Sequence, residues 1–445
     1  MFIKSYALLL IAFASAFFPR VLAAIGAPSP INFVHFVLIP LISIYIVLQT
    51  RTRIRVQMVL ELLAGLLIML ALVISSAMLN QAGVINVFLD YMLRGEWFLF
   101  LLAIISINPS EKSLKQLRFG FIAFAFINLL FAYVQKFILK WGAGKLAAGD
   151  YITGVFIDQG GGCDVSSGVS IIFAIYYFTS YKNSPLWMRI AIIFAAIVHI
   201  FIADSKSHFL IFLISLLILM LSKLKLTLKG ITLFAQYLLL ATAFLGLIYW
   251  AAHTVATSIL AYANPTLVQE GIDLKLSVFS IIPSYYHSSL NWLFGLGPGH
   301  TVGRLGGWML RDYAELLNPL GATKSPASKA VWDAVWATFI GPRTRLWSPL
   351  FGWAGIWGDW GFLGVAAFLY VLFITWRRFC VDDSCRVILL SVAIFGCIFT
   401  QMEEPGYVIP VAAIIGLRWQ EEQMSKRSPH HPMYIPTANR RLEIT

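Results

Sequence analysis

The sequence contains little charge, and this scarcity excludes a soluble protein. Only 12% of its 445 residues are charged, whereas soluble domains carry roughly 25%. Hydrophobic residues make up 59% of the chain, and its mean hydropathy is +0.79. A soluble fold could not bury this much apolar surface, so the composition indicates a polytopic membrane protein. The apolar runs are continuous, and a bilayer forces backbone groups to pair within each segment, so we expect an all-α fold.

Cysteines and metal-binding patterns are also scarce. Four cysteines are present, and Cys163 stands apart from Cys380, Cys385 and Cys397. They suggest no disulfide framework, and two cysteines five residues apart are weak evidence for zinc. No His-rich or paired-carboxylate spacing occurs, so we expect neither a metal nor another cofactor. The glycine-rich segment 295–299 lacks the Lys-Ser/Thr of a nucleotide-binding loop, which argues against a nucleotide site.

Apolar runs separated by short polar turns predict about twelve transmembrane helices. The predicted spans cover about 1–24, 31–49, 56–79, 88–107, 119–139, 167–181, 190–203, 208–221, 231–250, 356–376, 387–400 and 407–419. Alternating spans place the short basic loops on one side, which predicts two cytoplasmic termini. The same loops account for most of the net charge of +12, so we predict no nucleic-acid partner. The first run is interpreted as a retained helix and not a cleaved signal peptide, because so many spans follow it.

The large interval between the ninth and tenth spans differs in composition from the rest. Glycine, proline, charge and tryptophan are concentrated there, and eight of the fourteen tryptophans lie between Trp292 and Trp360. We name this interval, residues 252–353, the hood, and predict that it is an extracytoplasmic loop with short amphipathic helices. One of them, 329–339, has an apolar stripe typical of a helix lying against the bilayer. The predicted division is nine spans at 1–251, the hood at 252–353, three spans at 354–419 and a disordered cytoplasmic tail at 420–445.

The turn between the seventh and eighth spans is a candidate anion site. It reads Asp204-Ser-Lys206-Ser-His208 and lies on the outer face in the predicted topology. Ionisable groups near membrane depth indicate function by default, and an ammonium among hydroxyls suits a phosphate. The alternative is a hydrated surface loop in which Lys206 extends its ammonium towards water.

The hood also carries several cations that could bind phosphate. They are Arg304, Arg311, Lys324, Lys329, Arg343 and Arg345. Arg343 and Arg345, next to the tenth span, are favoured because arginine binds phosphate through two parallel hydrogen bonds. The alternative is attraction to anionic lipid headgroups.

Aromatic, histidine and acidic side chains supply further candidates. Trp292, Trp308 and Trp347 could pack against the apolar faces of sugars, whereas anchoring at the membrane interface is favoured for Trp332 and Trp336. Of the two histidines in the first half of the hood, His300 has a more favourable setting than His287. The acids that could act as a general base are Asp158, Asp164, Asp312, Glu315, Asp359, Glu403 and Glu404.

The order of these motifs resembles the O-antigen ligase and O-antigen polymerase family of bacterial envelope glycan enzymes. The resemblance rests on the loop 154–158, the Ser205-Lys206 turn, the segment 294–299, the segment 358–364 and the long loop between the ninth and tenth spans. Each motif is loose, and their order is more specific than any one of them. The resemblance covers roughly the spans after Gly154.

The resemblance implies a metal-independent glycosyltransferase of the bacterial inner membrane. It would transfer a glycan from undecaprenyl pyrophosphate to an acceptor sugar hydroxyl on the periplasmic face. Chain-length and export proteins are further candidate partners besides the two glycans and the bilayer. The sequence departs from the family at Lys206, where arginine is usual, and at 347–350, where ligases and many polymerases carry a His-Asn pair. The missing pair leaves the usual general base unassigned and disfavours a lipid A-core ligase. A polymerase of O-antigen, capsule or exopolysaccharide repeats fits better, because polymerases of this family vary more.

The implied chemistry assigns roles to the candidate residues. Departure of a lipid pyrophosphate develops negative charge, which requires cations, and the candidates are Lys206, Arg343, Arg345, Arg304 and Arg94. The acceptor hydroxyl requires orientation and a base, and the candidates are His300, Asp359 and Asp204. The hood would exclude water that could hydrolyse the donor.

Two other classes of function compete with an enzyme. A transporter or flippase predicts polar residues deep in several spans and often an internal repeat. The predicted spans are mostly free of charge, no repeat is visible, and the polar groups crowd one face, which favours surface chemistry. A non-catalytic protein of an export assembly is the third class.

Overall fold

The structure is a computed structural model. It describes residues 4–50, 53–145, 148–157, 161–223 and 264–427, together with scattered positions between 231 and 249. All regular elements in these described ranges are helical, as the composition predicts. Most of the predicted ninth span, the start of the hood at 252–263, Asp158 and the tail after Arg427 lie outside the described residues.

Eighteen α-helices in the described ranges build the molecule. Those before the hood are α1 Ser5–Phe17, α2 Pro19–Ala24, α3 His35–Leu48, α4 Arg53–Asn80, α5 Val84–Ser106, α6 Glu111–Tyr133, α7 Gly162–Ser180, α8 Leu186–Ile202 and α9 Lys206–Ser222. The hood contains α10 Pro265–Leu276, α11 Val278–Ile281, α12 Asn291–Phe294, α13 Leu310–Asp312, α14 Ala314–Leu317 and α15 Pro326–Ala337. The last three are α16 Gly352–Arg378, α17 Asp383–Phe395 and α18 Pro405–Arg427.

Shorter helical turns connect these elements. Two of them are π-helices, at Val134–Ile138 and Leu305–Met309. The 3₁₀ turns are Ser29–Phe33, Ala148–Tyr151, Ile282–Tyr285, Asn318–Leu320, Gly341–Arg343 and Gln401–Glu403.

Five helical segments of the described chain are long and apolar enough to cross a membrane. They are Ser29–Leu48, Arg55–Asn80, Glu111–Ile138, Gly162–Ser180 and Gly352–Arg378. Each overlaps one predicted span, and α1, α8 and α9 are shorter apolar helices that overlap three more. The chain is therefore a helical membrane protein.

Helix α5 does not fit the expectation that the spans are almost free of charge. It begins at Val84, earlier than predicted, so Arg94 lies about 15 Å along the helix and not near its outer end. Asp90 and Glu96 accompany it, and all three charged side chains are buried. α5 packs against α3, α4 and α18, which bury it on several sides. The expectation is wrong for this helix, because neighbouring helices supply partners for its charges.

Helix α16 is interrupted at Gly361, and the hood docks at the interruption. Gly361 has φ +68°, and a Cβ there would lie 2.3 Å from the backbone of Leu293. The break frees carbonyls that would otherwise bond within the helix. The N–H of Leu296 donates to the carbonyl of Gly358 at 2.8 Å, and the N–H of Gly297 donates to that of Asp359 at 3.1 Å. The glycine-rich segment 295–299 is therefore a backbone joint between the hood and α16.

The described hood has a hydrophobic core of its own. Val331 and Val335 of α15 are buried with Val278 and Ile282, while Trp336 is exposed. The apolar stripe of this helix therefore faces protein, and the expectation that it lies against the bilayer is wrong for the stripe.

The last helix extends into the predicted disordered tail. α18 continues to Arg427, and Gln420 is buried against α5. Its amide donates to the carbonyls of Ile104 at 2.6 Å and Ile107 at 3.1 Å. Residues 420–427 are thus part of the packed fold because their polar groups satisfy the end of α5.

Candidate functional site

A cavity of about 570 Å³ lies between the first helices, the hood and the segment 399–406. Its volume is in the range typical of small-molecule sites. Four arginines line it: Arg20, Arg304, Arg311 and Arg345. Aromatic side chains line it as well: Phe33, Phe36, Trp308, Tyr313, Trp332 and Phe399. The wall therefore combines positive charge with flat apolar surface.

Arg304 is the most buried of the four arginines. Its guanidinium pairs with Glu404, and its backbone N–H donates to the carboxylate of Glu403. Burial, and then the nearby charge of Arg20, lower the pKa of Arg304 to about 9, so its side chain is still cationic at neutral pH. The guanidinium lies 5.9 Å from the ring centroid of Trp308, which places charge beside an aromatic face.

Arg345 reaches the cavity from the segment before α16. Its side chain is 50% exposed, and its nitrogens lie 3.8 Å from carboxylate oxygens of Asp150 and Asp164. These contacts are longer than a hydrogen bond. Much of the hydrogen-bonding capacity of Arg345 is therefore open to a ligand.

Arg311 also lines this cavity. It donates to Asp312 at 2.9 Å and lies 4.9 Å from the ring centroid of Trp332. The Trp332 indole N–H donates to the carbonyl of Gly307 at 2.5 Å, which fixes the ring. Trp332 is thus a wall of the cavity, a position that differs from the membrane anchoring expected for it.

A second arginine cluster lies beneath the cavity and is closed to solvent. Arg94 contacts Asp90 at 2.5 Å, Asp359 at 2.7 Å and Glu403 at 3.0 Å, and all four side chains are 0% exposed. The indole N–H of Trp360 donates to Asp90 at 2.6 Å. These contacts join α5, α16 and the turn before α18.

The two clusters share Glu403. One of its oxygens accepts from Arg94 at 3.0 Å, and the other accepts from the backbone of Arg304. Burial raises the pKa of Glu403 above its usual range. The second oxygen of Asp359 accepts from the backbone N–H and hydroxyl of Thr301, at 2.9 and 2.7 Å. Arg94 and Asp359 therefore support the floor of the cavity from below and do not line it.

His300 ties two parts of the hood together. Its Nδ1 lies 2.8 Å from the carbonyl of Leu296, and its Nε2 lies 2.8 Å from the hydroxyl of Thr323. Burial lowers the pKa of His300, which favours the neutral ring. Both ring nitrogens are engaged, and the side chain does not line the cavity.

The Asp204–His208 turn also lies away from the cavity lining. Lys206 pairs with Asp204 at 2.7 Å, and Asp204 packs against Gly149. Asp164, which approaches Arg345, lies 3.4 Å from His208. The turn is thus a neighbour of the cavity through Asp164, but its lysine is paired within the turn itself.

Of the residues assigned roles in the transfer, Arg304, Arg345 and Trp308 line the cavity, and so do the further candidates Arg311, Asp312 and Glu404; the other assigned residues lie outside its lining. Those outside are His300, Asp359, Asp204, Lys206, Arg343, Arg94, Trp292 and Trp347. Arg343 packs on Phe339, 3.7 Å from its ring centroid, and donates to the Phe339 carbonyl at 2.5 Å. Trp292 stacks parallel to Phe362, and Trp347 packs on Gly271.

Four further charged or titratable groups at the cavity are absent from the sequence-based assignment, and Tyr313 of its lining is one of them. Arg20 and His35 line it, and Glu96 lies 2.9 Å behind the His35 ring. The predicted topology contains a signal for Arg20 and His35, because it places the end of the first span and the start of the second on the outer face. The Glu96 contact joins residues 61 positions apart and has no local pattern.

Comparison with known proteins adds no relative. No model of a known protein family matches the sequence, and no curated protein matches it. The resemblance to the O-antigen ligase and polymerase family therefore remains a prediction. Within the described ranges, no group of three or more His, Cys, Asp or Glu residues is placed to hold a metal ion.

Proposed function

We propose that this protein is a membrane glycosyltransferase that uses a lipid-pyrophosphate-linked glycan as its donor. In this proposal it polymerises repeats of O-antigen, capsule or exopolysaccharide on the periplasmic face of the bacterial inner membrane. The chain would cross the membrane twelve times with both termini in the cytoplasm. The supporting observation is that four arginines and several aromatic rings line one cavity in a helical membrane protein.

The charge of the cavity suits a pyrophosphate. Arginine binds phosphate oxygens through paired, charge-assisted hydrogen bonds. Among the residues that the structure describes, two carboxylates, Asp312 and Glu404, line the cavity beside the four arginines. The lining therefore has an excess of positive charge, which an anionic ligand would neutralise.

The exposed apolar face of α3 provides a path for the donor lipid beside the arginine-lined cavity. Helix α3 begins at the cavity with His35, and its exposed side chains further along are apolar, including Val37, Leu41 and Ile44. A polyprenyl tail could lie along this face while the pyrophosphate occupies the cavity. Trp308 and Trp332 would then contact the first sugars through their ring faces.

The proposed reaction places the developing charge among these cations. The bond between the sugar and the pyrophosphate breaks as the acceptor hydroxyl attacks, and the electron pair remains on the pyrophosphate. Fixed guanidinium groups stabilise this charge without reorganisation during the reaction. The hood would cover the site and limit the entry of water.

Elongation by the purified protein tests this proposal. The wild type in detergent would receive undecaprenyl-pyrophosphate-linked repeat units, and a gel would separate the products. We expect a ladder of lengthening products that Arg304→Ala and Arg345→Ala abolish. Arg377→Ala is the matched control, because Arg377 is exposed at the far end of α16. Transfer only after addition of lipid A-core would instead identify a ligase.

A transporter is the second candidate, and the buried charges of α5 favour it. Asp90, Arg94 and Glu96 lie inside the protein in one helix, and such residues often mark transport pathways. Movement of the intact lipid-linked donor across vesicles, without elongation in any condition, would establish this function and exclude the polymerase.

A further inference from the structure

We propose that His35, positioned by Glu96, is the general base that activates the acceptor hydroxyl. This inference rests on the proposed glycosyl transfer and identifies a catalytic residue for it. His35 is the first residue of α3 and lines the arginine-rich cavity. Glu96 lies behind it on α5, away from the cavity lining.

The contact between the two residues determines that Nδ1 of the imidazole carries a hydrogen. Nδ1 of His35 lies 2.9 Å from each carboxylate oxygen of Glu96. The two residues are 6% and 2% exposed, so water competes little for this contact. An ionised carboxylate only accepts hydrogen bonds, so Nδ1 carries a hydrogen, and in the neutral ring Nε2 then keeps the lone pair. The described residues provide no hydrogen-bond partner for Nε2, which leaves this nitrogen able to accept a proton.

The other acids of the cavity are already engaged. Glu404 pairs with Arg304, and Asp312 accepts from Arg311 at 2.9 Å. The Tyr313 hydroxyl accepts from Asn32 at 3.5 Å. His35 is thus the cavity group whose basic atom is not consumed by a neighbouring cation.

The charged groups around His35 are consistent with this role. Glu96 supplies the negative charge that stabilises the imidazolium formed by proton transfer. The remaining titratable groups of the cavity and of the helices packed on α3 are Arg20, Arg304, Arg311, Asp312, Tyr313, Arg345 and Glu404 from the cavity, Asp90, Tyr91 and Arg94 from α5, and Tyr6 from α1. In this proposal the arginines bind the donor phosphates, and the carboxylate of Glu96 contacts the histidine. The base and the leaving group are therefore stabilised by different residues.

The proposed step balances as a single displacement. Nε2 of His35 takes the proton of the acceptor hydroxyl, and the hydroxyl oxygen bonds to the anomeric carbon. The bond from that carbon to the pyrophosphate oxygen breaks, and its electron pair leaves with the lipid pyrophosphate. The proton then passes from His35 to solvent or to the departing phosphate, which restores the neutral ring.

A purely structural role for the pair makes different predictions. If His35 and Glu96 only joined α3 to α5, their loss would lower stability and donor binding, and the pH dependence of the remaining activity would not change. The test therefore needs donor retention and a pH profile in addition to elongation.

The experiment compares His35→Gln, His35→Asn and Glu96→Gln with wild type in the elongation assay. The asparagine variant retains an N–H donor for Glu96 but has no base, so it separates catalysis from packing. His287→Gln is the matched control, because His287 is exposed in the hood. Retention of radiolabelled lipid-linked donor is measured for each variant in parallel.

We expect both His35 variants to lose about 10²- to 10⁴-fold in turnover, the usual contribution of a general base, with donor retention within about twofold of wild type. Glu96→Gln should lose less, and the acid limb of its rate profile should move to lower pH because the imidazolium loses its counter-charge. A further variant, His35→Ala, removes the ring entirely, and added imidazole should restore part of its turnover.

Turnover of His35→Asn or His35→Gln within a few-fold of wild type would overturn the assignment. So would an equal loss of donor retention and turnover. These results are separate from failure of the proposed function, in which wild type itself neither elongates nor retains the donor; that result would overturn both.

Discussion

Arg94 and Arg345 occupy opposite electrostatic surroundings within one protein. Arg94 is 0% exposed and contacts three carboxylates within 3.0 Å, whereas Arg345 is half exposed and touches its two carboxylates only at 3.8 Å. Both occur in a chain with few charges, so charge alone does not separate their roles. A saturated arginine holds the fold together, and an arginine with unused hydrogen bonds is available for a ligand.

Replacing Arg94 should have the largest effect and would break this comparison most directly. Arg94→Met leaves Asp90, Asp359 and Glu403 buried without their cation, and uncompensated buried charge costs about 3–5 kcal/mol. We expect a large fall in the midpoint of thermal unfolding, or failure to accumulate folded protein. Arg377→Ala is the control. A melting midpoint of Arg94→Met close to wild type would mean that the buried cluster is not structural.

The cavity arginines should show the opposite pattern. Arg311→Ala combined with Arg345→Ala should leave the unfolding midpoint nearly unchanged, because both arginine side chains are at least half exposed and ion pairs of exposed side chains contribute little. Elongation should fall by about 10²- to 10³-fold, the usual loss when one stabilising donor of developing charge is removed. Normal turnover in a folded double variant would contradict binding of the pyrophosphate in this cavity.

His300 extends the comparison between buried and cavity-lining groups to a titratable side chain. It is buried in the hood and does not line the cavity. Burial lowers its pKa in the folded protein, while the unfolded chain keeps a value near 6.5. The unfolded state then binds more protons between the two values. This contribution to stability is complete above about pH 6.5 and is lost as the pH falls towards the folded value. His300→Gln should therefore flatten the decline of the unfolding midpoint between neutral and mildly acidic pH.

If the unfolding midpoint declined equally with falling pH in wild type and in His300→Gln, this result would contradict a neutral, buried His300. His287→Gln, on the exposed residue, should retain the wild-type pH dependence.

Lys206 should give the smallest effect. The sequence predicts it as a pyrophosphate ligand, but its ammonium pairs with Asp204 outside the cavity lining. We expect Lys206→Ala to change elongation less than tenfold and the unfolding free energy by roughly 0–1 kcal/mol. A loss of elongation as large as that of Arg345→Ala would show that the Asp204–His208 turn belongs to the pyrophosphate-binding site.

The sequence predicts the class of fold well because apolar runs of membrane length are local patterns. The predicted span 56–79 matches Arg55–Asn80 closely, because it has no break and its single charge, Glu61, is partly exposed and pairs with Arg378. Helix α5 is misjudged because its charges are tolerable only through distant partners: Arg94 meets Asp359 across 265 positions.

The site is predicted less well for the same reason. Arg304, Arg345 and Trp308 reach the cavity, but sequence spacing cannot show that Arg94 is saturated or that Glu96 supports His35. The pairing of Lys206 with Asp204 is the exception, because a single residue separates them and a local ion pair could have been foreseen.

The interruption of α16 at Gly361 limits how the hood can move. Two carbonyls at the break receive their hydrogen bonds from Leu296 and Gly297. Lifting this end of the hood would remove both donors. The carbonyl of Gly358 would lose its bond inside the protein, at about 1–3 kcal/mol, whereas that of Asp359 would keep the bond it accepts from the Ser76 hydroxyl at 2.6 Å. The hood therefore resists separation at this joint, and any movement that keeps the joint intact costs less.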